Sequence, residues 1–338
     1  MGRVQGRAGG GDLGLLRRLV TVTIFATLAL IVVGGVVRVS DSGLGCGAAG
    51  SGLEGWPLCG GRALPLIQEN AVIEFSHRLL AGVVGLLILA IVWQARKLPR
   101  SQTLLRRGSL LAGVLVLAQA GLGGLTVEHN LEDELVAAHL GLAMLLLATL
   151  IVLAWAVRRE RPGAPRPLAG RGLRPLAVAA SVLILATVVA GGYIAGTEEE
   201  GVRDGVANGA HLACGEEFPG CLDGVLPFGE HGRLVDIQLA HRALVYVTTA
   251  TLLGLFGLAL YRRVWSREFS TLALLLALQL MLGALNVWLG KDPGLILAHL
   301  TTGTLLWAAA VSATLRLSPA PAPLATRSPQ PETSAAPA

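Results

Sequence analysis

"IEFSHRLLAGVVGLLILAIVWQAR" (residues 73–96) opens with an acid, an imidazole and a guanidinium, then runs without a charge from Leu79 to Trp93. As a helix the whole segment is long enough to cross a hydrocarbon core, which takes ~20 residues. Glu74, His77 and Arg78 therefore stand at the entrance of a membrane span, where ionisable side chains are costly and usually functional. At an offset of 164, "IQLAHR" (237–242) repeats the pattern with His241 and Arg242 but carries Gln238 in place of the acid. One copy has lost a charge.

The rest of the chain has the same character. Over 338 residues it is 53% hydrophobic and 14% charged, with a mean hydropathy of +0.64. Eight apolar stretches read as spans: 17–39, 72–95, 108–127, 134–156, 174–195, 236–260, 268–289 and 294–316. Helices satisfy their own backbone groups in lipid, so the expected fold is an all-α membrane protein. No cleavable signal peptide is expected, because a polar tail precedes the first span and no small-residue cleavage site follows it. The Pro/Ala-rich stretch 317–338 reads as disordered.

Lys and Arg concentrate on one side of the spans. The N-terminal tail, the loops Arg96–Arg107, Arg158–Arg174 and Arg262–Arg267, and the C-terminal tail hold most of the 27 basic residues. The other loops hold Arg38, Arg62, Arg203, Arg233 and Lys291. The positive-inside rule then puts both termini in the cytoplasm. A net charge of +5 is a topology signal on this reading, and needs no nucleic-acid partner.

All four cysteines fall in the loops assigned to the outside: Cys46 and Cys59 in loop 40–71, Cys214 and Cys221 in loop 196–235. On an oxidising face this suggests one disulfide per loop, serving as a staple or, if exposed, as a redox pair. Zinc held by His211, Cys214, Cys221 and His231 is a third option, although the spacing matches no common site.

An internal repeat organises the rest. "VAAHL" (136–140) and "LILAHL" (295–300) align at an offset of 160, and Gln119, Gly123 and His139 meet Gln279, Gly283 and His299 at that same offset. "VVGGVV" (32–37) resembles "VVAGGY" (188–193) more weakly. The expected architecture is two tandem four-helix bundles of the same orientation. Its divisions are a tail 1–16, an N-terminal bundle 17–160, a cytoplasmic linker 161–173, a C-terminal bundle 174–316 and a tail 317–338.

His77, His139, His241 and His299 each lie near the start of spans 2, 4, 6 and 8, which all begin on the outer side. Histidines on facing helices suit axial ligation of a haem iron, with apolar spans around the porphyrin. Zinc or copper would want further ligands, and these spans offer no Cys or Met at matching positions. There is no C-x-x-C-H, which excludes covalent attachment. Arg78 and Arg242 each follow a histidine, which suits them to haem propionates, the alternative being ordinary snorkelling to headgroups.

The repeat together with "GGVVRVSDSGLGC…WPLC", "IEFSHR", "VAAHLG", "IQLAHR" and the last "LAHL" resembles the heme A synthase family over about residues 17–316. The resemblance implies oxidation of one methyl of heme O to the formyl of heme A by successive hydroxylations and loss of water. It implies that His77 and His139 face heme O, that His241 and His299 ligate a haem b relaying electrons, and that Cys46 and Cys59 form the first-loop disulfide. Its implied setting is a bacterial plasma membrane. The implied partners are a heme O synthase, a membrane electron donor such as quinol, membrane lipid and, as an open question, a second copy of the chain. "GAAGSGLEG" (47–55) makes the first loop longer than the family pattern.

Two other readings stay open. A dihaem electron carrier would use the same histidines, yet gives no reason for one half to keep an acid. A transporter should break its substrate helices with Gly or Pro near mid-span, and spans 2, 4, 6 and 8 are not so broken. On a helix Glu74 shares a face with His77 and Arg78, at i+3 and i+4. An exposed Glu74–Arg78 pair alone would be worth only about 0.3–0.5 kcal/mol. The family counterpart of Glu74 is functionally important, so Glu74 is expected to handle protons in the half that does the chemistry, with His77 and His139.

Overall fold

Inside hydrocarbon every backbone N–H and C=O needs a partner within the chain, and the helix supplies one for each residue of a span. A computed structural model describes residues 10–48, 50–65, 67–160, 172–197, 209–222, 224–290 and 292–317. Eight long helices account for nearly all of them: α1 Gly10–Val39, α2 Glu69–Arg96, α3 Thr103–Glu128, α4 Asp133–Arg159, α5 Leu173–Gly196, α6 Arg233–Tyr261, α7 Arg267–Trp288 and α8 Pro293–Arg316. All eight are long and apolar enough to cross a membrane. Among the described residues there is no β-strand, only isolated bridges between Cys59 and Arg62 and between Cys221 and Gly224. Most of the expected linker (161–171), Arg203, Lys291 and the tails before Gly10 and after Leu317 lie outside the described residues.

Most helices extend past the apolar windows. α1 starts at Gly10 rather than 17, and α2 at Glu69 rather than 72. Polar first turns carry no hydropathy signal, yet their backbone still propagates the helix. α8 has the most explicit start, with Pro293 in its first turn and the Asp292 carboxylate accepting from Leu295 N at 3.0 Å.

α1 to α4 close into one ring, each packed on the next and α4 back on α1; α5 to α8 follow the same order, except that α6 and α7 barely touch. The two bundles meet where α4 lies on α5 and α8, and α1 lies on α8. Lipid tails are as apolar as leucine, so helices associate by close contact rather than by escape from water, and small residues permit that contact. The seam uses them symmetrically. Gly35 of α1 faces Leu297 and Leu300 of α8, and Gly192 of α5 faces Ala137 and Leu140 of α4. The structural equivalence is therefore Gly34 with Gly191 and Gly35 with Gly192, one residue out of register with the two similar hexamers. Two polar contacts fix the seam: the buried Trp307 Nε1 donates to the Met144 carbonyl at 3.0 Å, and the half-buried Arg38 Nε to the Ala195 carbonyl at 2.9 Å. The second satisfies a carbonyl at the end of α5 that has no partner within the helix.

Large buried side chains gather at one end of each bundle. In the first, Leu16, Val20, Ile88, Ile91, Leu105, Leu150 and Leu153 fill the space between the start of α1, the end of α2, the start of α3 and the end of α4. In the second, Leu173, Ile184, Leu252, Phe256, Phe269, Leu272, Leu306 and Trp307 do the same. The opposite end, where α2, α4, α6 and α8 begin, carries the histidines instead. On the outside, Phe25, Leu86, Leu117 and Leu274 remain exposed, as a surface covered by hydrocarbon requires.

The tight seam yields a test. A Cβ on Gly196 would stand 2.3 Å from Asp133 Cα, a backbone atom, whereas one on Gly254 would meet nothing within 4 Å. Overpacking of this kind costs about 1–3 kcal/mol. Gly196→Ala should lower the thermal midpoint of the detergent-solubilised protein by several degrees and Gly254→Ala should not; equal midpoints would contradict the packing.

Candidate functional site

Each of the four span histidines rests on a glycine of the helix before it. A Cβ on Gly34 (α1) would lie 3.0 Å from His77 Cε1, and one on Gly123 (α3) 3.0 Å from His139 Cε1. In the second bundle the distances are 3.3 Å from Gly191 (α5) to His241 and 3.1 Å from Gly283 (α7) to His299. The missing side chains let each ring lie against neighbouring backbone. All four histidines stand roughly two turns inside their helices, hence at one depth.

All four Nδ1 atoms are buried, and backbone at Leu30, Thr187 and Gln279, one turn before the seats Gly34, Gly191 and Gly283, bears on the rings of His77, His241 and His299. A ligating imidazole directs one ring nitrogen at the protein and offers the other to the bound group, and the repeated seat provides for the first. Within each bundle the pair shares one electrostatic environment, His77 with His139 and His241 with His299. The repeated glutamines diverge. Gln119 Nε2 donates to the His139 carbonyl at 3.0 Å, whereas Gln279 Nε2 lies 3.1 Å from His299 Nε2. Two histidines per bundle, set on apolar helices beside small residues and beyond the packed cores, fit axial ligation of a haem iron.

The sequence reading left His211 among the loop histidines. A short 3₁₀ turn, Gly209–Leu212, brings it into the electrostatic field of His299. The available signal was its place three residues before Cys214, whose disulfide anchors the turn.

Both cysteine pairs are bonded as the loops suggested, Cys46 to Cys59 and Cys214 to Cys221. That closes the zinc option, and among the described residues no group of three or more His, Cys, Asp or Glu could hold a metal ion by itself. The long first loop takes up its extra residues in a 3₁₀ turn, Gly52–Glu54, and still returns to the disulfide through Gly60 N donating to the Cys46 carbonyl at 2.7 Å. A second repeat emerges here that the sequence reading missed. "WPLC" (56–59) and "FPGC" (218–221) share an aromatic–Pro–x–Cys pattern. In both, the cysteine N–H closes a tight turn, Cys59 onto the Arg62 carbonyl at 2.9 Å and Cys221 onto the Gly224 carbonyl at 2.7 Å.

The residues beside the histidines hold these loops. Arg78 Nη1 donates to the carbonyls of Gly55 (2.6 Å) and Leu58 (2.8 Å), while its Nη2 pairs with Glu74 Oε1. Glu74 is 3% exposed, and its Oε2 accepts from Cys46 N at 2.7 Å. Arg242 Nη1 likewise donates to the Gly220 carbonyl, but its Nη2 is buried and unpartnered. Gln238, in the place of Glu74, donates to the His211 carbonyl at 3.3 Å. The arginines expected at haem propionates thus also grip the roof loops, and only Arg242 keeps a free buried donor.

A model of the cytochrome oxidase assembly protein family matches residues 17–311. The chain is 30% identical over 250 residues to the heme A synthase of Shouchella clausii, covering 71% of this chain and 75% of that protein. It is 31% identical over 261 residues to the heme A synthase of Symbiobacterium thermophilum, covering 74% and 77%. For the heme A synthase of Shewanella oneidensis the figures are 28% over 324 residues, covering 83% and 90%.

Mass mapping of unreduced protein should recover Cys46–Cys59 and Cys214–Cys221 peptides alone. A Cys46–Cys214 species, or free thiols at 46 and 59, would contradict the two-loop arrangement.

Proposed function

This chain belongs to the cytochrome oxidase assembly protein family, and from that premise we propose that it is a heme A synthase, a membrane oxidoreductase converting heme O to heme A. The observation that carries the reading is the doubled site: one pair of half-buried, glycine-seated histidines in each bundle, at one depth. One pair serves the substrate and the other a resident cofactor. The overall change is two successive hydroxylations of one porphyrin methyl, each removing two electrons from the carbon and adding one oxygen atom from a donor outside the chain, after which the geminal diol loses water to leave the formyl group.

In this proposal His77 and His139 hold heme O in the N-terminal bundle, and His241 and His299 hold haem b in the C-terminal one. Bound there, haem b would supply one-electron chemistry between a membrane donor such as quinol and the substrate half. The chain's own residues position and enclose. The glycine seats fix the direction of each imidazole, and the buried Nη2 of Arg242 is a donor for a propionate. The disulfide-closed loops cover the histidine end against water. We place the protein in a bacterial plasma membrane with both termini cytoplasmic, alongside the enzyme that supplies heme O.

The equality of the four seats also favours a second reading, a two-haem electron carrier. The discriminating experiment expresses the chain in cells that make heme O but no heme A, followed by extraction and chromatography of the haems. Heme A should appear with the wild-type chain and fall by about a hundredfold or more with His77→Ala or His139→Ala, since misplacing a reacting group costs at least that much. Folded wild-type protein that carried haem b but left all heme O unchanged would favour the carrier.

A further inference from the structure

Glu74 was expected to handle protons, yet each of its oxygens already meets a donor from the chain, and the carboxylate is 3% exposed. We propose that Glu74 is a positioning residue which, with Arg78, clasps the disulfide-closed loop 46–59 onto α2 as the roof of the N-terminal histidine pair. The importance of that roof for substrate rests on the heme A synthase reading above; the clasp itself does not.

The ties reach both ends of the loop. Cys46 is held by Glu74 Oε2, and the Gly55 and Leu58 carbonyls are held by Arg78. Gly45 lies so close to α2 that a Cβ there would stand 2.4 Å from the Asn70 carbonyl group. From this anchor the loop crosses to α3. The Trp56 ring lies against Gly124, where a Cβ would be 3.0 Å from it, and Gly52 N donates to Glu128 Oε2 at 3.3 Å. Gly124 adjoins Gly123, the seat of His139. The loop therefore spans from the helix of one histidine to the seat of the other.

The second roof is fastened differently. Both disulfides are buried among apolar neighbours, Cys46 and Cys59 with Ala71 and Phe75, Cys214 and Cys221 with Val235 and Leu239; in place of the ion pair the second loop has Phe218, packed edge-on to Trp288 at 6.0 Å with the Arg242 guanidinium 5.8 Å from its ring. Apolar packing opens only by unpacking. Charge-assisted hydrogen bonds are strong, but water can replace them one at a time. The first roof thus adds an ion pair to its packing where the second adds an aromatic pair, and only the first can be loosened by removing a charge.

The test uses the full-length protein in detergent with a water-soluble phosphine reductant, following each disulfide by alkylation and mass mapping. Loss of the clasp in Glu74→Ala should speed reduction of Cys46–Cys59 about tenfold or more, with Cys214–Cys221 unchanged as the internal reference. Glu74→Gln, which keeps an acceptor for Cys46 but loses the ion pair, should give a smaller increase and serves if the alanine variant does not fold. In turnover, KM for heme O should rise more than kcat falls. A wild-type reduction rate in either folded variant would overturn the clasp, and a loss confined to kcat would overturn its part in holding substrate and return Glu74 to an acid–base role. Because the reduction assay needs no haem chemistry, a chain that made no heme A could still show the clasp.

Discussion

An imidazole can bring its Cε1 edge against a neighbouring transmembrane helix only where that helix lacks a side chain, and this constraint recurs at every level of the structure. Gly34, Gly123, Gly191 and Gly283 each seat a histidine, while Gly35 and Gly192, one residue on, let the two bundles close on each other. The Gly-Gly pairs of α1 and α5 therefore couple the site to the seam: one glycine faces inward to a histidine and its neighbour faces across to the other half. Contact of this kind is what lipid leaves available to hold helices together. The bulky cores sit at the far end of each bundle, so the histidine end is free to receive a flat, apolar ligand.

On this symmetric frame the two halves differ mainly in how their roofs are held. Both loops carry the aromatic–Pro–x–Cys turn and both are gripped by the arginine after a histidine. Only the first adds a buried carboxylate. Both disulfides sit in apolar packing, and only the second loop brings a third histidine, His211, into the electrostatic field of His299. The two loops thus share packing and an arginine tie, and differ in the ion pair of one and the aromatic pair of the other.

Much of this was readable in the sequence, for definite reasons. Spans announce themselves through uninterrupted apolar runs, and the four histidines through a repeat whose spacing loops perturb only slightly. Gly123 and Gly283 were visible because they keep the offset of their histidines. Gly34 and Gly191 were not resolved, because a long loop separates each from its histidine and the flanking residues diverge. The direction of Arg78 could not be read, since an arginine after a ligand histidine can turn toward a ligand or toward a loop, and the carbonyls of Gly55 and Leu58 become its neighbours only once the loop folds back. The same applies to Glu74 and Cys46, which are 28 residues apart and meet through tertiary structure alone.

The central claim is that the bundles do different work with equivalent histidine pairs. The haem content of purified protein from cells making only b-type haem tests it most directly, by optical spectrum and by haem-to-chain ratio. The account predicts a low-spin b-type signal that survives His77→Ala and His139→Ala and disappears in His241→Ala and His299→Ala. A signal lost equally in all four variants, or one that follows the N-terminal pair, would contradict it.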